Sequence, residues 1–388
     1  MINVDGFLFA GIHAGIKQKK KDLALIYAAD GAEFAAVTTT NKFGAAGVQY
    51  TQALLKKTNM LQAVMVNSGN ANALTGDKGI QDISDLLTSL GQSLPKINMN
   101  NSVLLSTGII GKHLPIKTMT QALPSLAHSL NTDATPFAEA IMTTDLTMKT
   151  SIKTLDIDGR SIQIVGICKG SGMIQPNMAT MHGFILTNAE IPSSDLRSWI
   201  KDIADSSFNR ITVDSDASTN DTLMLLASGK GSTIPPSRQA EFRALLKEVA
   251  IDLAQQIIQD GEGCTKFVTF TVDHALNQGD ARAIFFAVCN SPLVKTAWFG
   301  ENPNFGRILC SAGKIESSLV AEKVDLWMGP HLLVKQGAVV PMDKAILDAY
   351  MKNRDLTFRL DLNQGSERFT GWTTGLSYEY VKINAEYN

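Results

Sequence analysis

Cysteine is scarce. The four residues, Cys168, Cys264, Cys289 and Cys310, form no CxxC pair and have no histidine at ligand spacing, so neither a zinc site nor a disulfide framework is supported, and all four are expected to be buried thiols. Long apolar runs are also missing. No segment approaches the ~18 apolar residues of a membrane span, and the apolar piece in MINVDGFLFAGIHAGIKQKKKD precedes its basic run, the reverse of a secretory signal. Net charge is only -2, which removes the electrostatic case for nucleic acid or an anionic membrane. A soluble, cytoplasmic protein that acts on small molecules is expected, with no nucleic-acid and no membrane partner.

Several catalytic signatures are absent. The six histidines include no i, i+4 metal pair and no GxSxG elbow occurs, so a Ser-His-Asp hydrolase is weakly supported. KGSGM lacks the GxxxxGK[ST] order that places a lysine beside nucleotide phosphates. No internal repeat and no low-complexity linker divides the chain, whose length suits two lobes or one large domain.

What is present reads as α/β throughout. Strands are expected at 61–66, 102–106, 161–167, 183–186, 210–213 and 266–272. The clearest helix spans about 237–259, where Phe242, Leu245, Leu246, Val249, Leu253 and Ile257 recur at helical spacing. Others are expected to begin near Pro115 and over 191–204, the latter capped by Ser193 or Ser194. The polar run from Asp214 to Asp221 has the look of a calcium loop, but Thr219 occupies the sixth position where glycine is needed and the closing glutamate is missing, so an Asx-rich turn is expected.

Glycine-rich or polar loops flank many of the apolar runs: VNSGNANA, STGIIGKHLP, MTTDLTMK, DGEGCTK and WFGENPNFGRIL. The most informative is KGSGMIQPNMATMHGFILTNA, residues 169–189, in which Thr180 stands between a polar loop and a strand-like run. A hydroxyl so placed suits a nucleophile, although a hydroxyl at the mouth of a strand is by itself unspecific.

The combination is specific. KGSGMIQPNMATM together with STGIIG, TTD, VDSDASTNDT, DGEGCTK and FGENPNFGRIL, in that family's order, resembles the ornithine acetyltransferase family, the glutamate N-acetyltransferases of arginine biosynthesis, from GFLFAGIHAGIK to SYEYVKINAEYN. The resemblance implies a layered α/β sandwich of sheets between helices, with a layout like that of N-terminal-nucleophile proteins but its own topology. It implies self-cleavage between Ala179 and Thr180, so that residues 1–179 form an α chain carrying the oxyanion-hole and substrate loops. Residues 180–388 would form a β chain headed by the nucleophile Thr180, and an α2β2 heterotetramer would follow. A new α-amino group, with an ordinary pKa of ~7.7–8.0, would serve as base for its own hydroxyl, consistent with the missing histidine motif.

The reaction implied is transfer of acetyl from N2-acetyl-L-ornithine to L-glutamate through an acetyl-Thr180 ester, without cofactor or metal; some members also take acetyl-CoA as co-substrate. Thr107 and Gly108 would form the oxyanion hole, and Thr143, Lys169, Thr180, Glu262 and Asn384 would bind substrate. The chain departs from the family pattern in stopping at Asn388, four places after Asn384, where a hydroxyl residue is usual at the fifth, and in carrying Ser215, Cys264 and Phe305. Two other readings remain: a self-processing aminopeptidase or amidase with water as acceptor, and a noncatalytic binding protein on the same scaffold.

Overall fold

The structure, a computed structural model, describes residues 1–94, 96–175 and 181–386. Its chain divides into two compact units, Met1–Asn209 with Asp216–Ile257, and Arg210–Ser215 with Ile258–Asn388.

The strands of the first unit are β1 (Leu8–Ile12), β2 (Leu23–Thr38), β3 (Met60–Asn70), β4 (Ser102–Ile109), β5 (Lys149–Ile157), β6 (Arg160–Lys169), β7 (His182–Thr187) and, after the two-residue β8 (Ile211–Thr212) of the other sheet, β9 (Thr222–Ala227). They are ordered β4-β3-β2-β9-β7-β6-β5, with β1 beside β2. Both faces are buried, so the strands read as apolar runs more than as alternation. On β2, Ala24 and Ile26 join one apolar cluster with Val64, Val66, Phe184 and Leu226, while Leu23, Leu25 and Tyr27 join another on the opposite face.

The helices of this unit are α1 (Ala46–Leu54), α2 (Gly76–Ser93), α3 (Ile116–His128), α4 (Thr135–Ile141), α5 (Ser193–Ser206) and α6 (Gln239–Gln259). Phe137 of α4 meets Phe184 edge-on at 5.3 Å in the first cluster. In the second, Ile83, Leu86 and Leu90 of α2 and Met119 and Leu123 of α3 close the other face. On that face α6 lies against β6 where Gly166 leaves room, since a Cβ there would stand 2.5 Å from Val249 Cγ1.

In the second unit the strands are β10 (Phe267–Ala275), β11 (Asp325–Met328), β12 (His331–Lys335), β13 (Ala338–Val339), β14 (Asp355–Asp361) and β15 (Glu367–Thr374), in the order β13-β12-β11-β14-β10-β15-β8. Its helices are α7 (Gln278–Cys289), α8 (Pro292–Phe299), α9 (Phe305–Gly313), α10 (Lys344–Met351) and α11 (Tyr378–Glu386). Phe270, Phe285, Trp298, Ile308 and Phe358 gather strand and helix faces into one core. Side-chain caps start α7 and α8: Asn277 accepts from Asp280 N, and Ser291 from Val294 N.

The expected α/β class, with sheets flanked by helices, is what the chain adopts. Each expected strand exists within a few residues of its place. In α6 the anticipated stripe is buried except for Leu245, which is half-buried. Two expectations are corrected. Neither Ser193 nor Ser194 caps α5: Pro192 holds the cap position without a side-chain hydrogen bond, and both serines are already helical. The cysteines are not uniformly buried either. Cys168 and Cys289 are, but Cys264 is half-buried and Cys310 is exposed, because α9 turns Ile308, Ser311 and Ala312 inward and leaves Cys310 outside. Among the described residues no helix is long and apolar enough to cross a membrane.

Candidate active site

Strand β4 ends in an irregularity that only glycine accommodates. Gly108 has φ +134°, opposite Gly69 at φ +105°, and the β3–β4 register shifts at Gly69 and Asn70. A Cβ on Gly108 would stand 2.4 Å from the Gly69 carbonyl carbon. Its neighbour Thr107 is buried and accepts a 2.9 Å hydrogen bond from Lys169 Nζ. A hydroxyl that accepts from an ammonium keeps its single O–H for another acceptor. The structure therefore brings Thr107, Gly108 and Lys169 together from β4 and the end of β6, and Lys169 is itself only 4% exposed.

Thr143 joins them through a residue that the sequence reading did not single out. Asp145 is fully buried, and its two oxygens divide the work. One accepts from Lys149 Nζ at 2.7 Å and from Gly170 N at 2.7 Å. The other accepts from Thr143 N at 2.9 Å and Thr143 Oγ1 at 3.4 Å. Burial alone would push this carboxyl up, but Lys149 and Lys169 outweigh it and hold Asp145 well below the usual carboxylate range. One carboxylate thus ties the TTD turn to the residue following Lys169.

The polar run at 214–221 is a turn, as expected, and more. Asn220 N donates to Ser218 Oγ, the local contact an ST turn makes, but its side-chain amide reaches Ala71 O at 2.6 Å and Ser106 O at 2.7 Å, fixing the end of β4. Buried Asp221 accepts from Met181 N at 2.7 Å, one residue before β7 begins. Burial pushes the Asp221 carboxyl up and lowers the His182 imidazole to about 3, so His182 is neutral at physiological pH. Among the described residues the run from Asp214 to Asp221 supplies no metal cluster; the one group with suitable spacing is Asp273, His274 and Asp361 in the second unit, where Arg368 already grips Asp273 at 2.6 and 3.0 Å.

Glu262 and Asn384 both belong to the second unit. Glu262 is buried, and Asn384 on α11 donates to its Oε2 at 2.7 Å. The turn just after Glu262 is tight: Gly263 has φ +67°, and a Cβ there would meet Ser377 Oγ at 2.3 Å. Ala179, Thr180 and Asn388 lie outside the described residues.

The ArgJ family model matches residues 8–388. The arginine biosynthesis bifunctional protein ArgJ of Bacillus licheniformis is 39% identical over 386 residues, covering 98% of this chain and 95% of that protein. The protein of the same name from Chlorobaculum tepidum is 41% identical over 387 residues, covering 99% and 96%. Among solved structures, the crystal structure of the arginine biosynthesis bifunctional protein ArgJ from Bacillus halodurans superposes with a TM-score of 0.51 at 35% identity, covering 54% of this chain and all of that one.

Proposed function

The chain belongs to the ArgJ family and is an acetyltransferase of arginine biosynthesis; on that premise we propose that it moves acetyl from N2-acetyl-L-ornithine to L-glutamate through an ester on Thr180. The observation that carries this reading is the buried Thr107–Lys169 hydrogen bond beside Gly108. It leaves the Thr107 hydroxyl proton available to an oxyanion, and each such preset donor is worth ~3–4 kcal/mol in acyl transfer.

In the first step Thr180 Oγ attacks the acetyl carbonyl carbon while its proton passes to the α-amino group freed by cleavage after Ala179. That proton goes to the departing nitrogen of ornithine as the C–N bond breaks, leaving an acetyl ester. In the second step the uncharged amine of glutamate attacks the ester carbon, Thr180 regains its proton, and N-acetylglutamate leaves. One amide is exchanged for another, so the transfer is nearly isoenergetic and needs no energy source. Lys169 supplies a cation for a substrate carboxylate, and Thr143, Glu262 and Asn384 complete substrate binding. Residues 1–179 and 180–388 are then two chains, assembled as α2β2 in the cytoplasm.

The test is to incubate purified protein with acetylornithine and labelled glutamate, then with acetyl-CoA in place of acetylornithine. Labelled acetylglutamate from acetylornithine is expected. Its absence with both donors contradicts the reading, and release of free acetate with either would favour water as the acceptor.

A further inference from the structure

Lys17 is a lysine that the sequence reading passed over. Its loop is fixed from inside by Asp22, a carboxylate with no exposed surface, which accepts backbone N–H groups from Ala14 at 2.6 Å, Gly15 at 3.2 Å, Ile16 at 2.7 Å and Lys17 itself at 2.8 Å. The Lys17 side chain therefore leaves a rigid base. Its stem crosses Gly69, where a Cβ would stand 3.0 Å from Lys17 Cγ, and Gly69 is the residue pressed against Gly108. Its ammonium donates to Met142 O at 2.9 Å. That carbonyl belongs to the peptide whose N–H, on Thr143, donates to Asp145. Lys17 thus runs from Gly69, the residue against Gly108, to the Met142–Thr143 peptide.

The charge of this region is unbalanced. Lys17, Lys149 and Lys169 all bear on Asp145, but Lys149 takes the direct contact at 2.7 Å. Lys17 makes no ion pair among the described residues. An ammonium hydrogen bonded to one carbonyl retains further N–H donors. Burial, reinforced by Lys20 and Lys169 and opposed by Asp22 and Asp145, brings it down to about 8, and an arriving anion would relieve that strain on its charge.

We propose that Lys17 is a second carboxylate-binding cation of this site, sharing with Lys169 the α-carboxylate common to the N-acylated amino-acid donor and the amino-acid acceptor. This rests on the acetyl-transfer reading for the identity of the ligands, though not for the existence of the anion site. Two ammonium groups flanking one carboxylate fix its orientation as well as its position, which a single point charge does not.

The test pairs binding with kinetics. Lys17→Met keeps an unbranched apolar stem over Gly69, and Lys17→Arg keeps the charge. Calorimetry compares L-ornithine with putrescine, the same diamine without the carboxylate. The wild-type protein is expected to prefer L-ornithine; Lys17→Met should weaken L-ornithine about tenfold or more while leaving putrescine unchanged, the loss of one charge-assisted contact. Lys17→Arg should recover most of it. In turnover, KM for acetylornithine and for glutamate should rise together with kcat within about threefold, the pattern of lost uniform binding. Unchanged L-ornithine affinity, equal weakening of putrescine, a wild-type protein without preference, or a loss confined to kcat would each overturn the proposal. If the wild-type protein prefers L-ornithine yet transfers no acetyl, the functional reading falls, and Lys17 is judged by the calorimetry alone.

Discussion

At the residue scale, the carboxylate of Asp145 serves Thr143, Lys149 and Gly170 at once. Asp145→Asn would keep the volume but lose the charge opposite Lys149, a lysine only 1% exposed. The expected cost is ~3–5 kcal/mol, the range for breaking one side of a buried pair, and Asp145→Asn with Lys149→Met should recover part of it in denaturant midpoints. Equal stability of the wild-type and single-variant proteins would contradict this. Asp145 was in plain view within TTD, and Lys149 stands four residues later. Sequence reading could not pair them because that spacing brings side chains together on a helix, whereas here Asp145 sits in a turn and Lys149 opens β5. Thr107, Gly108, Thr143 and Lys169 were proposed through motif order, not through their individual chemistry, and the structure shows that they lie close together.

At the scale of elements, the ends of β4 and β6 carry the proposed site residues Thr107, Gly108 and Lys169, and β7 begins two positions after Thr180. Their existence was readable from apolar runs, since central strands buried on both faces leave that trace. Strand β2 was not, although it is 16 residues long. Its centre reads AADGAEFAA, alanine-rich with an Asp-Gly turn signal, and its pairing with β3 does shift between Tyr27 and Ala32. The polar segment at 214–221 was legible as a turn but not as a support, because Asn220 meets Ala71 and Ser106 only across 149 and 114 positions of chain. Asn220→Ala would leave two carbonyls without that donor. The expected loss is ~1–3 kcal/mol of stability and, from slackening of the Thr107 end of β4, a ~10- to 100-fold fall in kcat. Retained kcat in a folded variant would show that β4 holds its end without Asn220.

At the scale of the whole molecule, α/β class was evident and the division into units was not. No linker composition marks it, and the second unit recruits Arg210–Ser215 from far upstream, pairing β8 in parallel with β15. Such a pairing is set by tertiary register, for which a two-residue strand carries no periodic signal. The covalent division proposed at Ala179–Thr180 is of another kind, a chemical event that makes a new N-terminus. It would supply the base that His182, the histidine nearest in sequence, does not, since burial leaves that imidazole too weakly basic to take a hydroxyl proton.

Both the cleavage and the ester are read in one measurement. The protein is incubated with acetylornithine in the absence of glutamate, quenched in acid, and the masses of its chains and peptides are determined. The account predicts two chains divided between Ala179 and Thr180, with a single acetyl group on the peptide that begins at Thr180, removed when glutamate is added before the quench. An intact chain of 388 residues, or an acetyl group that resides elsewhere or survives glutamate, would contradict it.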